Sequence, residues 1–446
     1  MRTTLLAAVL AVVAGRANAQ SPPYAPELLA VAARDPGAGV AAPTARSIGL
    51  GGVHLVTGSA EDAWWNPAGL VFGAQTDVVI AAGPSWYSRT EPSTTPSREF
   101  GDTDPTTGFA SSSPDVAAVS FAAVAIRERR WGFGAFFDAS TRYEHAFETA
   151  QALVGQLPGT GVFDGEQLYA AGQARVAQSV NRFGGSVALA STNRRVSVGG
   201  AALLAHATYS AGATLSGPYQ ASGRFPNGAG GMAIDPRGVV SEDAQIDADG
   251  WNLGWVLSIA AKPAQSTTLY GRWQHDPSVD YTMRDVVTMS GPRIDLIPAG
   301  FTSSGQLQLP TSWSAGLTIV GHGTTFASEL THTTYSQFFP SADLAGFQAS
   351  DAYEVRTGVE QRVATDAGAV LIRGGFAVGQ GYTATAPIVF ASTLSTPFPP
   401  RDSIQQLAAG FGYERSRAAL DLGVSHGNGQ TRILIDVRVR FSESRP

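Results

Sequence analysis

The chain has 446 residues, with 51 glycines, 26 prolines, no cysteine, 15% charged residues and a formal charge of −6. The lack of cysteine excludes a disulfide framework and a thiolate metal site, and the acidic balance argues against nucleic acid as a partner. Mean hydropathy averages zero, which is too apolar for disorder and too dispersed for a bundle of membrane helices. Alternating strands hide their apolarity from a windowed average, so a transmembrane β-barrel fits this composition.

The N-terminus reads as a secretory signal over residues 1–19. Arg2 supplies the positive start, residues 5–15 form a short apolar run, and Ala17, Asn18 and Ala19 make an A-x-A cleavage site. The run is too short to span a bilayer. Cleavage removes Arg2 and Arg16 and moves the formal charge from −6 to −8.

Residues 20–75 do not have the period of membrane strands. Residues 21–43 are rich in Pro and Ala. They lead into A-R-S-I-G-L-G-G at 45–52 and E-D-A-W-W-N-P-A-G-L at 61–70. The glycines permit tight turns and close approach, and Asn66-Pro67 favours turn initiation. A compact, irregular, polar segment ahead of a barrel predicts a plug, or hatch, inside the lumen. The alternative is a periplasmic arm.

Fourteen strands are predicted from residue 76 onward, at 76–91, 114–128, 131–145, 180–191, 195–212, 249–261, 267–284, 305–320, 324–338, 351–363, 368–381, 402–414, 417–426 and 430–441. Most exceed the ~10 residues that a tilted strand needs to cross the hydrocarbon layer. The connections alternate between short turns, such as Arg129-Arg130 and His322-Gly323, and long loops at about 92–113, 146–179, 213–248, 285–304, 339–350 and 382–401. That alternation marks the periplasmic and external ends of a barrel. The last strand is the sharpest signal. Ile433, Ile435, Val437, Val439 and Phe441 share one face, and Arg432, Leu434, Asp436, Arg438 and Arg440 share the other. An apolar outside and a charged lumen are expected. The same two-faced pattern in Glu354, Arg356, Glu360 and Arg362 predicts a cross-strand lattice of salt bridges stiffening the inner wall. The barrel is expected to span 76–441, with a tail at 442–446.

The runs A-R-S-I-G-L-G-G and W-W-N-P-A-G-L resemble the hatch region of the FadL/TodX family of outer-membrane transport proteins. D-G-W-N-L-G at 249–254, L-P-T-S-W-S-A-G-L at 309–317, V-L-I-R-G-G-F at 370–376 and T-P-F-P-P-R at 396–401 followed by A-G-F-G-Y at 409–413 are similar to later motifs of that family, in order. The resemblance implies a 14-stranded antiparallel barrel with an N-terminal hatch, passing long-chain fatty acids or aromatic hydrocarbons. It assigns Asn66, Pro67 and Ala68 to the hatch. Trp64 and Trp65 are read as apolar ligand contacts, or else as wedges of the plug against the wall. It also implies a kinked third strand that opens the wall sideways, for which Gly132 and Gly134 are the matching candidates. The loops at 213–248 and 285–304 would frame an outer ligand groove through residues such as Leu215, Tyr219, Met289 and Ile297. Two departures stand out: the Pro/Ala-rich extension before Arg46, and the tail after Phe441. The N-terminal motif also resembles PorV-like secretion barrels, which keeps a structural, partner-binding role in play.

No catalytic constellation emerges, and no enzyme, metal or cofactor is expected. The seven histidines are scattered without an H-E-x-x-H. G-V-S-H-G at 423–427 matches G-x-S-x-G but ends a strand at a hairpin, where the motif needs a strand-to-helix elbow. The acidic run 242–249 lacks EF-hand spacing and reads as a solvated loop. The expected partners are a hydrophobic small molecule, outer-membrane lipid and, during biogenesis, the barrel-assembly machinery, in a bacterial outer membrane.

Overall fold

The computed structural model describes residues 43–73, 76–93, 106–111, 115–158, 165–225, 232–234, 237–291, 294–337, 348–381, 384–385, 404–427 and 430–441. The expected signal, the Pro/Ala-rich run after it, residues 442–446 and the tips of several expected loops lie outside these.

The main chain runs up and down through β1 (Thr76–Ser93), β2 (Asp115–Glu128), β3 (Trp131–Pro158), β4 (Gly165–Ala190), β5 (Val196–Phe225) and β6 (Arg237–Ala264). β7 is broken into Thr267–His275 and Ser278–Gly291, and β8 into Ile294–Gln308 and Thr311–Gly321. Pro277 and Pro310 stand in these breaks, because a proline cannot donate to the ladder. β9 (Thr324–Thr334), β10 (Ala352–Thr365), β11 (Gly368–Gln380), β12 (Ile404–Arg415), β13 (Ala418–Gly427) and β14 (Gln430–Phe441) complete the wall. β1 pairs antiparallel with β14, from Thr76 opposite Phe441 to Tyr87 opposite Gln430, and this closes a 14-strand antiparallel barrel. No described helix is long and apolar enough to cross a membrane.

The two faces separate as the alternation requires. Ile435, Val437 and Phe441 are 51%, 47% and 53% exposed, whereas Leu434, Asp436 and Arg438 between them are 2%, 0% and 3% exposed. Exposed aromatics stand near both edges of the apolar outer band: Trp131 and Phe441 toward the short-turn end, and Trp251, Trp313 and Tyr353 toward the other. At the short-turn end Arg129, Arg194, His322 and Ser416 take positive φ between 44° and 55°, the left-handed backbone that tight strand connections of this kind demand.

On the inner wall, charges are matched across strands. Glu354 and Glu329 flank Arg356 at 2.6 and 3.2 Å. Glu360 and Asp421 hold Arg373 at 2.6 Å each. Arg182 bridges Asp138 on β3 and Asp276 in the β7 break at 3.0 and 2.8 Å. The expected lattice is therefore present.

The expected loops differ. Residues 146–158, 165–179, 213–225 and 237–248 continue β3, β4, β5 and β6 as tall hairpins. Their outward residues, such as Ser210, Asp243 and Asp247, are polar and exposed, while Ile246 and Ala248 between them face inward and are 4% and 5% exposed, so the apolar outer face that reveals a strand in the membrane disappears while the ladder continues.

A charge placed on the lipid side tests this sidedness. Val437→Arg should lower unfolding stability in lipid vesicles by about 2–4 kcal/mol if the site lies near the bilayer midplane. A change indistinguishable from zero would place β14 the other way round.

Candidate functional site

Residues 43–73 lie inside the closed wall. α1 (Ala45–Gly49) is capped by Thr44, whose Oγ1 accepts from the Ser47 N–H at 3.3 Å. Its Ala45 and Gly49 pack on backbone of β13 and β12 at Gly423 and Gly410. The chain then turns through Gly51 and Gly52, at φ +74° and +87°. Here Leu50 and Gly51 press on Gly375 of β11 so closely that any Cβ there would overlap their backbone. Two 3-10 turns follow, Ala60–Ala63 and Pro67–Phe72. The second packs on β4, β5 and β6, across the lumen from the strands that hold α1.

Polar bonds fix the segment to opposite walls. Arg46 donates to Glu360 Oε1 at 2.8 Å and Oε2 at 3.1 Å, and its N–H reaches Asp436 at 3.3 Å. Glu61 accepts from Arg438. Ala60 N–H donates to Asp77 at 2.8 Å. Ala68 uses both backbone groups, donating to Ser258 Oγ at 2.8 Å and accepting from Ser197 Oγ at 2.7 Å. Pro67 starts its turn where no N–H is needed, and Gly69 N–H returns to Asn66 C=O at 2.7 Å. The Asn66 side chain is fully buried, and both its amide atoms lack a partner among the described residues.

Trp64 and Trp65 are 1% and 0% exposed. Trp65 stacks on His54 with centroids 3.4 Å apart and donates Nε1–H to Glu329 at 3.3 Å. Trp64 packs against Phe136 of β3 at 5.1 Å. The Arg272 guanidinium lies 5.2 Å from the Trp64 ring and 4.2 Å from the Trp65 ring. In this arrangement both indoles face protein on all sides, as wedges would. His54, Tyr270, Arg272 and Glu329 complete the cluster, and nothing local in the sequence marks them. His54 belongs to the luminal segment itself, whereas Tyr270, Arg272 and Glu329 are each one inward residue among alternating strand neighbours, and only barrel closure brings those three to the tryptophans. Burial pushes the His54 imidazole below its usual range, so the ring stacked on Trp65 is neutral at pH 7.

Gly132 and Gly134 sit in an unbroken part of the wall. β3 pairs with β2 from Trp131 to Asp138 and with β4 over the same residues. A Cβ on Gly132 would strike Leu70 at 2.7 Å, and one on Gly134 would strike Ala63 at 2.5 Å. These glycines thus admit the luminal segment. The break in the wall begins four residues beyond Gly134. The β2–β3 ladder ends at Phe121 opposite Asp138, and a bulge at Asp138/Thr141 shifts β3 against β4. β2 shifts against β1 at the same level. Among the described residues, Ala139 to His145 have no ladder partner on the β2 side, and pairing of β3 on that side resumes at Ala146 opposite Ser111. Asp138 and Phe136, at the lip of this interruption, are 1% and 6% exposed and face the Arg182 and Trp64 side chains.

No protein-family model matches the chain, and no curated protein matches it in sequence. Solved structures do match in shape. The monoaromatic hydrocarbon channel CymD superposes with a TM-score of 0.50 at 15% identity, covering 90% of this chain and 98% of that one. The Ralstonia pickettii toluene transporter TbuX gives 0.50 at 13%, covering 90% and 98%. A deltaS2S3 mutant of the monoaromatic hydrocarbon channel TodX gives 0.55 at 13%, covering 90% and 100%. The chain has the fold of these hydrocarbon channels. Among the described residues no group of side chains is arranged to hold a metal ion, and Ser425 of the G-x-S-x-G match lies in the β13–β14 ladder opposite Arg432, away from any elbow. The apolar residues expected to frame an outer groove lie on the β5–β6 and β7–β8 hairpins, with most of their side chains outside the described set.

Asp62 supplies a pH test. It is 1% exposed and accepts from Gly58 N–H at 2.6 Å and Thr57 N–H at 3.2 Å. Burial raises its carboxyl to about 8, and the neighbouring Glu61 adds to the rise. The folded state therefore holds a proton that the unfolded chain releases near pH 4. The stabilisation is complete below that pH and is lost as pH rises toward and through about 8. Hydrogen exchange of residues 57–69 should quicken from pH 5 to pH 9 beyond the intrinsic rate change, and Asp62→Asn should flatten the trend. Separately, Arg438→Ala leaves Glu61 buried without its cation and should cost about 3–5 kcal/mol, read as protease access to residues 57–69.

Proposed function

We propose that this protein is a passive channel of the bacterial outer membrane for hydrophobic small molecules. Monoaromatic hydrocarbons are the first class of cargo and long-chain fatty acids the second. Residues 20–75 serve as the hatch, after removal of a signal at 1–19, and the short-turn end faces the periplasm. Cargo leaves sideways, between β2 and β3, into lipid.

The observation that carries this reading is the β2–β3 ladder, interrupted just beyond the point where Gly132 and Gly134 meet residues 43–73 inside the barrel. On this reading the segment blocks a straight aqueous exit, and beside it β3 lacks a ladder partner on the β2 side among the described residues. Solvation favours the side exit. Each methylene moved into water costs about 0.8 kcal/mol, so a sixteen-carbon chain faces a penalty on the order of 10 kcal/mol. A route from lumen to lipid avoids that penalty, and no energy source is needed for it. Trp64 and Phe136 stand at the lip and would be the first apolar surface that cargo meets once the segment shifts. Asn66, Pro67 and Ala68 act as the footing of the hatch, because Ala68 is tied to β5 and β6 by two hydrogen bonds.

The chain has no cysteine, so a labelled pair is easily introduced. Ser120→Cys with Ala139→Cys, joined by a short bis-maleimide, should stop uptake of toluene into proteoliposomes, while either single cysteine with the same reagent should not. Uptake unchanged by the cross-link would remove the lateral route. Gly132→Val should act differently. It pushes on Leu70 and should loosen the hatch, read as liposome swelling in small sugars.

A further inference from the structure

The tall hairpins carry a feature that transport does not use. A cavity of about 1030 Å³ lies against β4 to β8 at residues 177–179, 208–210, 247–249, 280–282 and 304–306. The register explains its form. Gln178 pairs with Tyr209, Tyr209 with Ala248, Ala248 with Tyr281 and Tyr281 with Gly305, so these five make one row across the sheet. Tyr209, Ala248 and Tyr281 point inward and are 7%, 5% and 2% exposed. The rows on either side point outward: Ser179, Thr208, Asp249, Asp280 and Gln306 on one, and Ala177, Ser210, Asp247, Thr282 and Ser304 on the other. The cavity is thus a groove across five strands, roughly 20 Å long at ~4.8 Å per strand. Its floor is backbone, and its banks are two rows of polar side chains.

The groove faces the lipid side. Asp249 and Asp247 lie on the same face of β6 as Trp251 and Leu253, which are 55% and 75% exposed. The lower bank begins two residues beyond Trp251, above the aromatic edge of the apolar band. Nine of the ten outward side chains are hydroxyl, amide or carboxylate, and three of them are acids. The carboxylates are held in place by neighbours. Asp247 accepts from Ser210 at 2.8 Å and Gln245 at 2.6 Å, Asp249 meets His206 Nε2 at 2.8 Å, and Asp280 accepts from Gln306 at 3.0 Å. Trp251 lies 4.6 Å from the His206 ring and offers an exposed aromatic face at one end. No side chain in the groove is basic, and Arg175 and Arg284 stand two residues further from the membrane than the upper bank.

We propose that this groove binds the sugar chain of a glycolipid of the surrounding outer leaflet. Fixed acceptors and hydroxyls in two rows suit the many O–H donors of a saccharide, and the Trp251 face suits its C–H surface. A phosphate pressed against Asp247, Asp249 and Asp280 would be repelled. A metal ion is also a poor occupant, since no group of His, Asp or Glu among the described residues is arranged to hold one. The glycolipid source follows from position, because its acyl chains would lie on the Leu253 band while its sugars reach the groove.

The test uses the full chain in detergent with three probes: rough lipopolysaccharide with a complete core, lipid A alone, and core oligosaccharide released by mild acid. The complete glycolipid should bind at least tenfold more tightly than lipid A. Asp249→Ala with Asp280→Ala, and independently Thr282→Trp, should each remove that tenfold gain and leave lipid A binding unchanged. Both variants alter exposed positions, and heat-modifiable gel mobility verifies that the barrel has formed. Equal binding of lipid A and the complete glycolipid overturns the proposal. So does loss of binding with a chelator, which would make the groove a cation site. Released oligosaccharide binding as tightly as the glycolipid overturns the membrane source.

Discussion

Everything in this molecule depends on one constraint: inside hydrocarbon, each backbone N–H and C=O must find its partner within the protein. Closure of β1 on β14 meets that demand for the wall as a whole. Once the cylinder is closed, the alternation of side chains sorts itself into an oily exterior and a polar interior. The buried luminal charges then need partners of their own, and Arg182, Arg356 and Arg373 each sit between two carboxylates. The arginine fork serves this role well because one planar group can satisfy two acceptors at once.

The same constraint gives the β2–β3 interruption its meaning. Unpaired backbone at membrane depth is tolerated only where it lines a cavity or is covered by protein. A run of β3 from Ala139 to His145 without a partner on the β2 side among the described residues therefore belongs beside an opening or an occluding element, and Trp64 of the luminal segment packs against Phe136 just below it. Bulges on β2 and β3 at the same level turn both strands away from one another. The hydrocarbon channels share this overall shape, although their sequence likeness to the chain is slight.

Much of the fold was legible because lipid enforces a period of two. Val437 and Arg438 announce their faces without any knowledge of neighbours. The luminal segment was legible in kind, since its glycines and the Asn66-Pro67 turn exclude a membrane strand. The wall partners of Trp64 and Trp65 were not, because Phe136, Arg272 and Glu329 come from distant parts of the chain and converge only on closure. Gly132 and Gly134 show a subtler limit. Glycine in a strand signals either a bulge or a close neighbour, and a single sequence does not say which. Here Leu70 and Ala63 occupy the space. The tall hairpins read as loops in the sequence because their outward residues are polar, which erases the apolar outer face that marks a membrane strand.

The bonds from residues 43–73 to opposite walls give the cylinder something that its ladders do not. Arg46 grips Glu360 and Asp436 on one side, and Ala68 is bolted to Ser197 and Ser258 on the other. The segment is a spoke across a hoop. A hoop slit along part of its height tends to ovalise, and a spoke of fixed length sets how far the slit can spread. On the proposed lateral route, the width of the aperture is then a mechanical property of the interior brace, so changes to the brace alter passage without touching the rim.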